Sequence, residues 1–508
     1  MGKALGGEIS GAPLVEFARY KPGVSALFLW RASRPEGGEA RVYAKVYAED
    51  RGGDEAARAA ARRRAGEPAR FALLEVPRAV AYAFPLDAGL PGLRRLLDRS
   101  GLKRALARSR PDRKGAGWRA KARGTVLELV RYKPENRAVF RVEARWRRDA
   151  DGAREGETLY LRALPATRGS SVARVYATLA GAAGVALPRV AGFDSQTSVV
   201  FVEALPGRPL LESAADPRTF RAAGGALAAF HRCGLPLPDS ESGAERIERL
   251  RREYAALERL GEPWAGRALR LLDRIGGDSG TSAAVVHGDF HAEQVLSDGG
   301  TIAFLDLDGA GAGDPLLDLG SFLGHLRLLV RSGDLTEEEA GNGAEAFLGA
   351  YGARVEGLEG ATALALLDLG LSPLRRLEEG ATERVGAVVE EARAFLETPT
   401  LVRGGIRGDG TIEYEYERRT PIGALRRWEI LPPAGEGIAL TDPAALGPVG
   451  LRTALDPAGL SAILRVRMPG GPGPGVVRTE LLSLRPGRRG VVRAHLSDGA
   501  TLIVKAYP

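Results

Sequence analysis

A short stretch of the chain, residues 287–318, concentrates polar side chains at suggestive spacings. Its tripeptide His-Gly-Asp ends in Asp289, and Gln294 follows five residues later. An apolar run, IAFLD, comes next and ends in Asp306. An aspartate on an irregular loop between two apolar strands can orient a hydroxyl group and accept its proton. The spacing therefore predicts a loop that carries a general base, Asp289.

The same stretch offers oxygen ligands for a magnesium ion. Gln294 can present its amide oxygen from the loop, and Asp306 can present a carboxylate at the end of the following strand. Mg²⁺ prefers one or two carboxylates together with phosphate oxygens and water, which matches this sparse ligand set. Phosphoryl transfer otherwise needs positioning and charge neutralisation. We therefore expect Mg²⁺ as a cofactor and a hydroxyl group as the acceptor.

Simpler interpretations exist for each residue taken alone. A loop aspartate usually caps a helix or a turn, so the interpretation depends on the ordered combination. His287 and His291 have the i, i+4 spacing of a metal-binding pair, but no helix is expected across HGDFH. We expect His287 to brace the loop by hydrogen bonds. Asp314 and Asp318 are expected to be structural, with Asp314 capping the next helix.

The motif resembles that of the kinase-like phosphotransferases of the aminoglycoside phosphotransferase and choline kinase group. That family has His-Gly-Asp, an Asn five residues after the Asp, Ile-Asp in a following strand, then Gly-Asp-Pro and Asp-Leu. The resemblance is dense here and looser over residues 120–400. It implies that Asp289 is the catalytic base with His287 beside it, and that Asp306 is the main metal ligand. Gln294 departs from the usual Asn, as in maltokinase-like members.

The resemblance also directs attention to a nucleotide-binding strand. Family members hold ATP phosphates with a Lys on the third strand, often paired with a Glu on the next helix. Here the third strand, LYLRAL, has Arg162 at that position, and the expected helix at 170–180 contains no Glu. Arginine binds phosphate in a bidentate manner but differs from lysine in reach. We expect Arg162 to contact the phosphates and the backbone of Glu203, Ala204 and Leu205 to contact adenine.

Three related β-rich modules begin near residues 8, 124 and 478. In each, a short strand leads to a Lys/Arg-Pro turn, and two further strands follow, the last ending in Lys or Arg. Lys45 and Lys505 hold this last position in the outer modules, which have no HGD loop and are expected to be non-catalytic copies or docking surfaces. The expected domains are an N-terminal module at 1–112, a small lobe at 120–205, a mostly helical lobe with the catalytic loop at 206–400, and a C-terminal module at 401–508.

The expected fold class is α+β, a bilobal protein-kinase-like unit with additional N-lobe-like β-rich modules at both ends. The composition, 44% hydrophobic and 27% charged, is ordinary for a globular protein. Cys233 is the only cysteine, and the sequence has neither a signal-like apolar segment nor a run long enough to span a membrane, so we expect a cytoplasmic protein. The net charge of +8 is spread without a basic block, so neither a nucleic acid nor a membrane is expected as partner. The oligomeric state stays open.

The leading hypothesis is ATP- and Mg²⁺-dependent phosphorylation of a small polar molecule, such as a sugar, an aminosugar or an aminoglycoside. Acceptor contacts are expected from the helical region 320–400. A pseudokinase or scaffold is the main alternative: the missing Lys and Glu favour it, and the intact set of Asp289, Gln294 and Asp306 opposes it. A third hypothesis, that the chain binds nucleic acid, rests only on its net charge. Such binding would depend steeply on salt concentration.

Overall fold

The computed structural model divides the chain into two compact units, Met1–Ala392 and Arg393–Pro508. It describes residues 9–35, 37–47, 71–74, 79–182, 184–213, 216–275, 284–352, 357–396, 400–406, 412–420, 423–431, 476–485, 489–496 and 501–506. Among these residues, no helix is both long and apolar enough to cross a membrane.

The first unit begins with a five-stranded antiparallel sheet. Its strands are β1 (Ser10–Lys21), β2 (Ser25–Ser33), β3 (Glu39–Tyr47), β4 (Phe71–Leu74) and β5 (Ala79–Ala83), in the spatial order β1-β2-β3-β5-β4. Three helices follow: α1 (Leu93–Leu97), α2 (Arg99–Ser109) and α3 (Pro111–Gly115). The β1–β2 turn contains Gly23 at φ +66°, a conformation that favours glycine.

A second five-stranded sheet repeats this arrangement. Its elements are β6 (Trp118–Lys133), β7 (Arg137–Arg148), β8 (Arg154–Ala163), α4 (Gly169–Leu179), β9 (Val190–Asp194) and β10 (Val199–Glu203). The spatial order is β6-β7-β8-β10-β9, so the strands pair in the same pattern as in the first sheet. The repeat predicted for the first two modules is therefore confirmed in strand order.

One hydrophobic core joins the two sheets through α1 and α2. Tyr43 of β3, Leu93 of α1, Leu106 of α2 and Phe140 of β7 are all buried in it. Alternation of apolar and polar residues along β7 places every second side chain in this core. The N-terminal module is thus packed against the small lobe by ordinary burial of apolar surface.

The rest of the first unit is mostly helical, as expected for a large lobe. Its helices are α5 (Pro217–His231), α6 (Gly243–Arg259), α7 (Ala265–Arg274), α8 (Pro315–Ser332), α9 (Glu337–Tyr351), α10 (Leu358–Leu369), α11 (Ser372–Arg375) and α12 (Ala381–Leu396), the last running a few residues into the second unit. Short strands frame the motif region: β11 (Arg208–Pro209), β12 (Ala284–Val286), β13 (Val295–Asp298), β14 (Thr301–Phe304) and β15 (Gly311–Gly313).

The helix cap predicted for Asp314 is present, because its carboxylate accepts a hydrogen bond from the Leu316 N–H. The α+β kinase-like class is confirmed.

The second unit contains a six-stranded antiparallel sheet in the order β18-β17-β16-β19-β20-β21. The strands are β16 (Thr400–Ile406), β17 (Ile412–Thr420), β18 (Gly423–Leu431), β19 (Val476–Arg485), β20 (Arg489–Leu496) and β21 (Thr501–Ala506). Strands β19 to β21 form the three-strand unit expected near residue 478. Most of the upstream repeat, 429–464, lies outside the described residues. The four-domain division stays a prediction.

Candidate active site

The loop after β12 is held by a buried aspartate of helix α8. The backbone N–H groups of His287 and Gly288 donate to the Asp318 carboxylate at 2.6 and 2.9 Å, and His231 Nε2 lies 3.1 Å from it. Burial alone would raise the pKa of Asp318, but these hydrogen bonds lower it, so the carboxylate stays charged. Gly288 has φ +81°, and a Cβ there would lie 2.3 Å from the Gly309 carbonyl oxygen. Only glycine fits this position.

His287 braces the loop, as the sequence predicts. Its side chain is fully buried, and its Nε2 donates to the Leu305 carbonyl at 2.7 Å. This bond ties the catalytic loop to the end of β14, next to Asp306. The metal pair considered for His287 and His291 does not form, because His287 Nε2 is engaged by the backbone and HGDFH is not a helix.

Asp289 lies on the loop that follows β12 and is exposed to solvent. It makes no hydrogen bond to any residue that the structure describes. Partial burial and the negative charge of Asp306 outweigh the opposing effects of His287 and Arg246, and the net result raises the pKa of Asp289 to about 6. A carboxylate with a pKa near the working pH is suited to act as a general base.

Asp306 is the last residue of the IAFLD run and lies two positions after the end of β14. It adopts a left-handed conformation, φ +57°, which turns the chain after β14. Arg137 Nη1 lies 2.7 and 2.8 Å from its two carboxylate oxygens, and Arg162 Nη2 lies 2.5 Å from one of them. Burial alone would raise the pKa of Asp306, but the two guanidinium groups hold it well below its usual range. The carboxylate is therefore ionised whenever the protein is folded near neutral pH.

Arg162, on β8, joins this site from the small lobe. Its Nη2 also lies 2.7 Å from the Asp308 carboxylate, and its Nη1 donates to the Tyr176 hydroxyl. Tyr176 comes from α4, a helix that contains no Glu. Arg162 is almost fully buried, at 7% exposure, so its charge depends on these partners. The sequence reading did not single out Asp308, although it stands only two residues after Asp306.

A cavity of about 480 Å³ lies between the small lobe and the motif region. Five sequence-predicted site residues line it: Arg162, Glu203, Leu205, Gln294 and Asp306. Apolar side chains of both lobes form its walls: Val130, Val139, Val202 and Leu296. Ala204 and Asp289 are not among the lining residues. A cleft with apolar walls and a charged end is the arrangement expected of a nucleotide site.

Comparison with known proteins identifies this part of the chain. Residues 136–364 match the model of the Phosphotransferase enzyme family. The match spans 229 of the 508 residues, so it shows that this region is similar to the family. The similarity indicates an enzyme of the phosphotransferase class. A comparison with curated proteins finds no match.

Several solved structures resemble the phosphotransferase region. A choline/ethanolamine kinase family protein from Mesorhizobium loti is 20% identical, with 54% of this chain and 89% of that chain covered and a TM-score of 0.37. A macrolide 2'-phosphotransferase from Brachybacterium faecium is 20% identical, with coverage of 55% and 95% and a TM-score of 0.36. A thermostable aminoglycoside phosphotransferase mutant, in a ternary complex with AMP-PNP and hygromycin B, is 16% identical, with coverage of 57% and 98% and a TM-score of 0.39.

The phosphotransferase region also gathers cations that the sequence reading did not single out. Arg131, Lys133 and Arg137 flank the β6–β7 turn, and two of them, Arg131 and Arg137, line the 480 Å³ cavity. Burial, together with the positive charges of Arg131 and Arg137, lowers the pKa of Lys133 to about 8. Such a concentration of positive charge is suited to a polyanion. The run RYKPENR showed these cations in the sequence, but only the fold brings them to Asp306.

Side chains of the N-terminal module bind the β6–β7 turn. The buried Asp87 carboxylate accepts hydrogen bonds from the Tyr132 hydroxyl at 2.7 Å and from the Glu135 N–H at 2.9 Å. Lys45 Nζ lies 2.6 Å from the Glu135 carboxylate, so this lysine is paired with the turn and does not line the 480 Å³ cavity. Glu135 itself has a left-handed backbone, φ +61°, which these contacts stabilise.

A second cavity, of about 400 Å³, lies beside the catalytic loop. Its lining includes residues from the region where the sequence predicts acceptor contacts: His325, Arg331, Pro373, Arg376 and Arg384. His291 and Glu293 of the loop line it from the other side, and Glu293 also lines the 480 Å³ cavity. Burial lowers the pKa of His291 to about 3, so this imidazole is neutral. The two cavities are therefore adjacent at Glu293.

Proposed function

We propose that this enzyme transfers the γ-phosphoryl group of ATP, with Mg²⁺, to a hydroxyl group of a small polar molecule such as a sugar, an aminosugar or an aminoglycoside. The observation that carries the proposal is the convergence of Asp306, Arg162 and Arg137 at the charged end of one cavity, next to the loop that bears Asp289. Phosphoryl transfer depends mainly on positioning and on charge neutralisation, and this site supplies both.

Asp289 acts as the base in this proposal. Its carboxylate has no competing hydrogen bond from a described residue, and its raised pKa makes it a better proton acceptor than an ordinary aspartate. It orients the acceptor hydroxyl and takes its proton as the oxygen attacks the γ-phosphorus, while the bond from that phosphorus to the β–γ bridging oxygen breaks and ADP leaves. The loop geometry that aims Asp289 comes from Asp318, which holds the two residues before it, and from His287, which ties the loop to Leu305.

The ligand chemistry fits a hard divalent cation. Asp306 offers carboxylate oxygens and Gln294 offers an amide oxygen, and both line the same cavity. Asp306 and Gln294 would hold Mg²⁺ there, and the ion would supply charge neutralisation for the phosphates. Arg137 and Arg162, which bond Asp306 in this structure, would extend their remaining N–H groups to the phosphates. The backbone of Glu203, Ala204 and Leu205 would receive adenine.

The experiment is a screen of the purified full chain with ATP and Mg²⁺ against a library of hydroxyl compounds, followed by detection of the phosphorylated product. The parent protein is expected to phosphorylate at least one class of acceptor, and the Asp289→Asn variant is not. Nucleotide turnover that is equal in the two proteins would overturn the proposal.

A pseudokinase is the second candidate, and one observation favours it. Arg162 is bound to Asp306 and Asp308 together, with Tyr176 in place of a paired Glu. In that reading, the ion pairs close the metal site and the chain binds nucleotide without turnover. A nucleotide-dependent rise in melting temperature, combined with no product from any acceptor, would support the pseudokinase.

A further inference from the structure

Two histidines and a glutamate meet where the catalytic loop packs against α8. His291 and Glu293 belong to the loop, and His325 belongs to the helix. Their potential ligand atoms all lie within 4.8 Å of one another, and the two imidazole centroids are 4.7 Å apart. Among the described residues, no other group of three His, Cys, Asp or Glu side chains comes this close.

Both imidazoles keep a buried ring nitrogen without a partner. In the part of the chain that the structure describes, the Nδ1 atoms of His291 and His325 are buried and make no hydrogen bond. Buried polar atoms are nearly always hydrogen-bonded, so each exception requires an explanation. A Glu293 carboxylate oxygen lies 3.9 Å from His291 Nδ1, too far for a hydrogen bond. This distance of 3.9 Å is close to the separation between two ligand atoms of one tetrahedral ion, which is roughly 3.4 Å when each bond is about 2.1 Å.

We propose that His291, Glu293 and His325 bind a divalent transition-metal ion of the zinc class. Two neutral imidazoles and one carboxylate form a ligand set typical of zinc sites that keep an open coordination position. Mg²⁺ prefers oxygen ligands and does not suit a pair of imidazoles. The site is therefore chemically distinct from the pair Asp306 and Gln294 proposed for Mg²⁺.

Gln294 supplies the outer contact that such a site needs. Its side-chain nitrogen lies 3.0 Å from His291 Nε2. The nitrogen and oxygen of an amide occupy interchangeable positions, so a rotated Gln294 presents its oxygen to His291 Nε2. An amide oxygen has two lone pairs, so this hydrogen bond leaves one of them for the Mg²⁺ role proposed above. The imidazole then carries its proton on Nε2 and turns the Nδ1 lone pair towards the ion. Hydrogen bonds of this kind orient metal-binding histidines in many proteins.

Because of its location, the ion could bind a molecule in the neighbouring cavity as well as stabilise the loop. All three residues line the 400 Å³ cavity. With three protein ligands, a tetrahedral ion keeps one position for water or for an oxygen or nitrogen atom of a molecule in that cavity. Glu293 also lines the nucleotide cavity, so the site lies at the boundary between the two.

The test uses the full chain, stripped with a chelator and titrated without nucleotide or acceptor, so its result does not depend on phosphoryl transfer. Zn²⁺ is titrated against a chromophoric competitor, and Co²⁺ is followed by its visible absorption. The parent is expected to bind one equivalent of each ion, with a Co²⁺ spectrum that indicates nitrogen ligands. A parent that binds neither ion overturns the proposal.

Variants then locate the ion. Glu293→Gln and His325→Asn are expected to lower the affinity by about 100-fold or more, since even outer contacts are worth about 10- to 100-fold. Glu293 is 64% exposed, so its replacement should leave the fold intact, and melting curves verify this for both variants. Glu248→Gln, on the exposed face of α6, is the matched control. Binding that survives in both variants but is lost in Asp306→Asn would place the ion at the nucleotide site and overturn the proposal.

Discussion

Arg162 Nη2 donates to Asp306 Oδ1 at 2.5 Å, across 144 positions of sequence and from the small lobe to the motif region. The bond joins the strand expected to bind phosphate to the carboxylate expected to bind metal. Both groups are buried, so each stabilises the charged form of the other. The charge of Asp306 is thus neutralised by an arginine of the small lobe.

Asp289→Asn should abolish most turnover while leaving nucleotide binding largely intact. A positioned base contributes about 10²- to 10⁴-fold in rate, and asparagine cannot accept the proton. The measurement is kcat with the identified acceptor, together with the affinity for a non-hydrolysable nucleotide. Asp298→Asn, in the exposed β13–β14 turn, is the matched control. Parent-like turnover in Asp289→Asn would mean that another group is the base.

The rate should fall in acid with the ionisation of Asp289. Its pKa is raised to about 6, and only the deprotonated carboxylate accepts a proton. We therefore expect kcat/KM to decline about tenfold per pH unit below about 6 and to level off above about 7. An ordinary aspartate would move this decline to about pH 4. A profile that stays flat down to pH 4.5, in protein that remains folded, would contradict the assignment.

Asp306→Asn should weaken Mg²⁺-dependent nucleotide binding and activity together. The change removes a metal ligand and also leaves Arg137 and Arg162 without their shared carboxylate. Titration of nucleotide affinity against Mg²⁺ concentration measures the effect. The idea fails if the variant and the parent give superimposable Mg²⁺ curves.

Arg162→Ala should raise the apparent KM for ATP, lower kcat, or both. Its guanidinium is the small-lobe cation nearest to Asp306 in the described site, and its fork geometry suits phosphate oxygens. Arg174→Ala, on the exposed face of α4, is the control. If Arg162→Ala leaves the KM for ATP and kcat unchanged while Lys45→Ala or Lys505→Ala alters them, the phosphate contact comes from another module.

Asp87→Ala should weaken the contact between the N-terminal module and the β6–β7 turn. The change leaves the Tyr132 hydroxyl and the Glu135 N–H without their acceptor, at a cost of roughly 1–3 kcal/mol for each buried donor left unpaired. Chemical denaturation should show the loss in unfolding free energy, and the KM for ATP should rise because the cationic turn is held less firmly. Asp149→Asn, in the exposed β7–β8 hairpin, should change neither quantity.

The local motifs could be predicted from the sequence because the chemistry lies in neighbouring residues. Asp289 and Gln294 share one loop, and Asp306 ends the hairpin that follows it. Their spacing alone places them near one another in any fold that forms these short strands. The repeated modules were visible for the same reason, since strand alternation and a Pro turn leave a local pattern.

The partners of these residues were decided by tertiary structure. Arg137 and Arg162 reach Asp306 because β7 and β8 lie side by side above the motif region. The i, i+4 pattern pointed to His287 as the companion of His291, whereas α8 brings His325 beside it. Spacing along the chain specifies which residues share an element, but packing of apolar faces specifies which elements meet. Because charge neutralisation in the cleft depends on elements that meet, only the folded chain determined it.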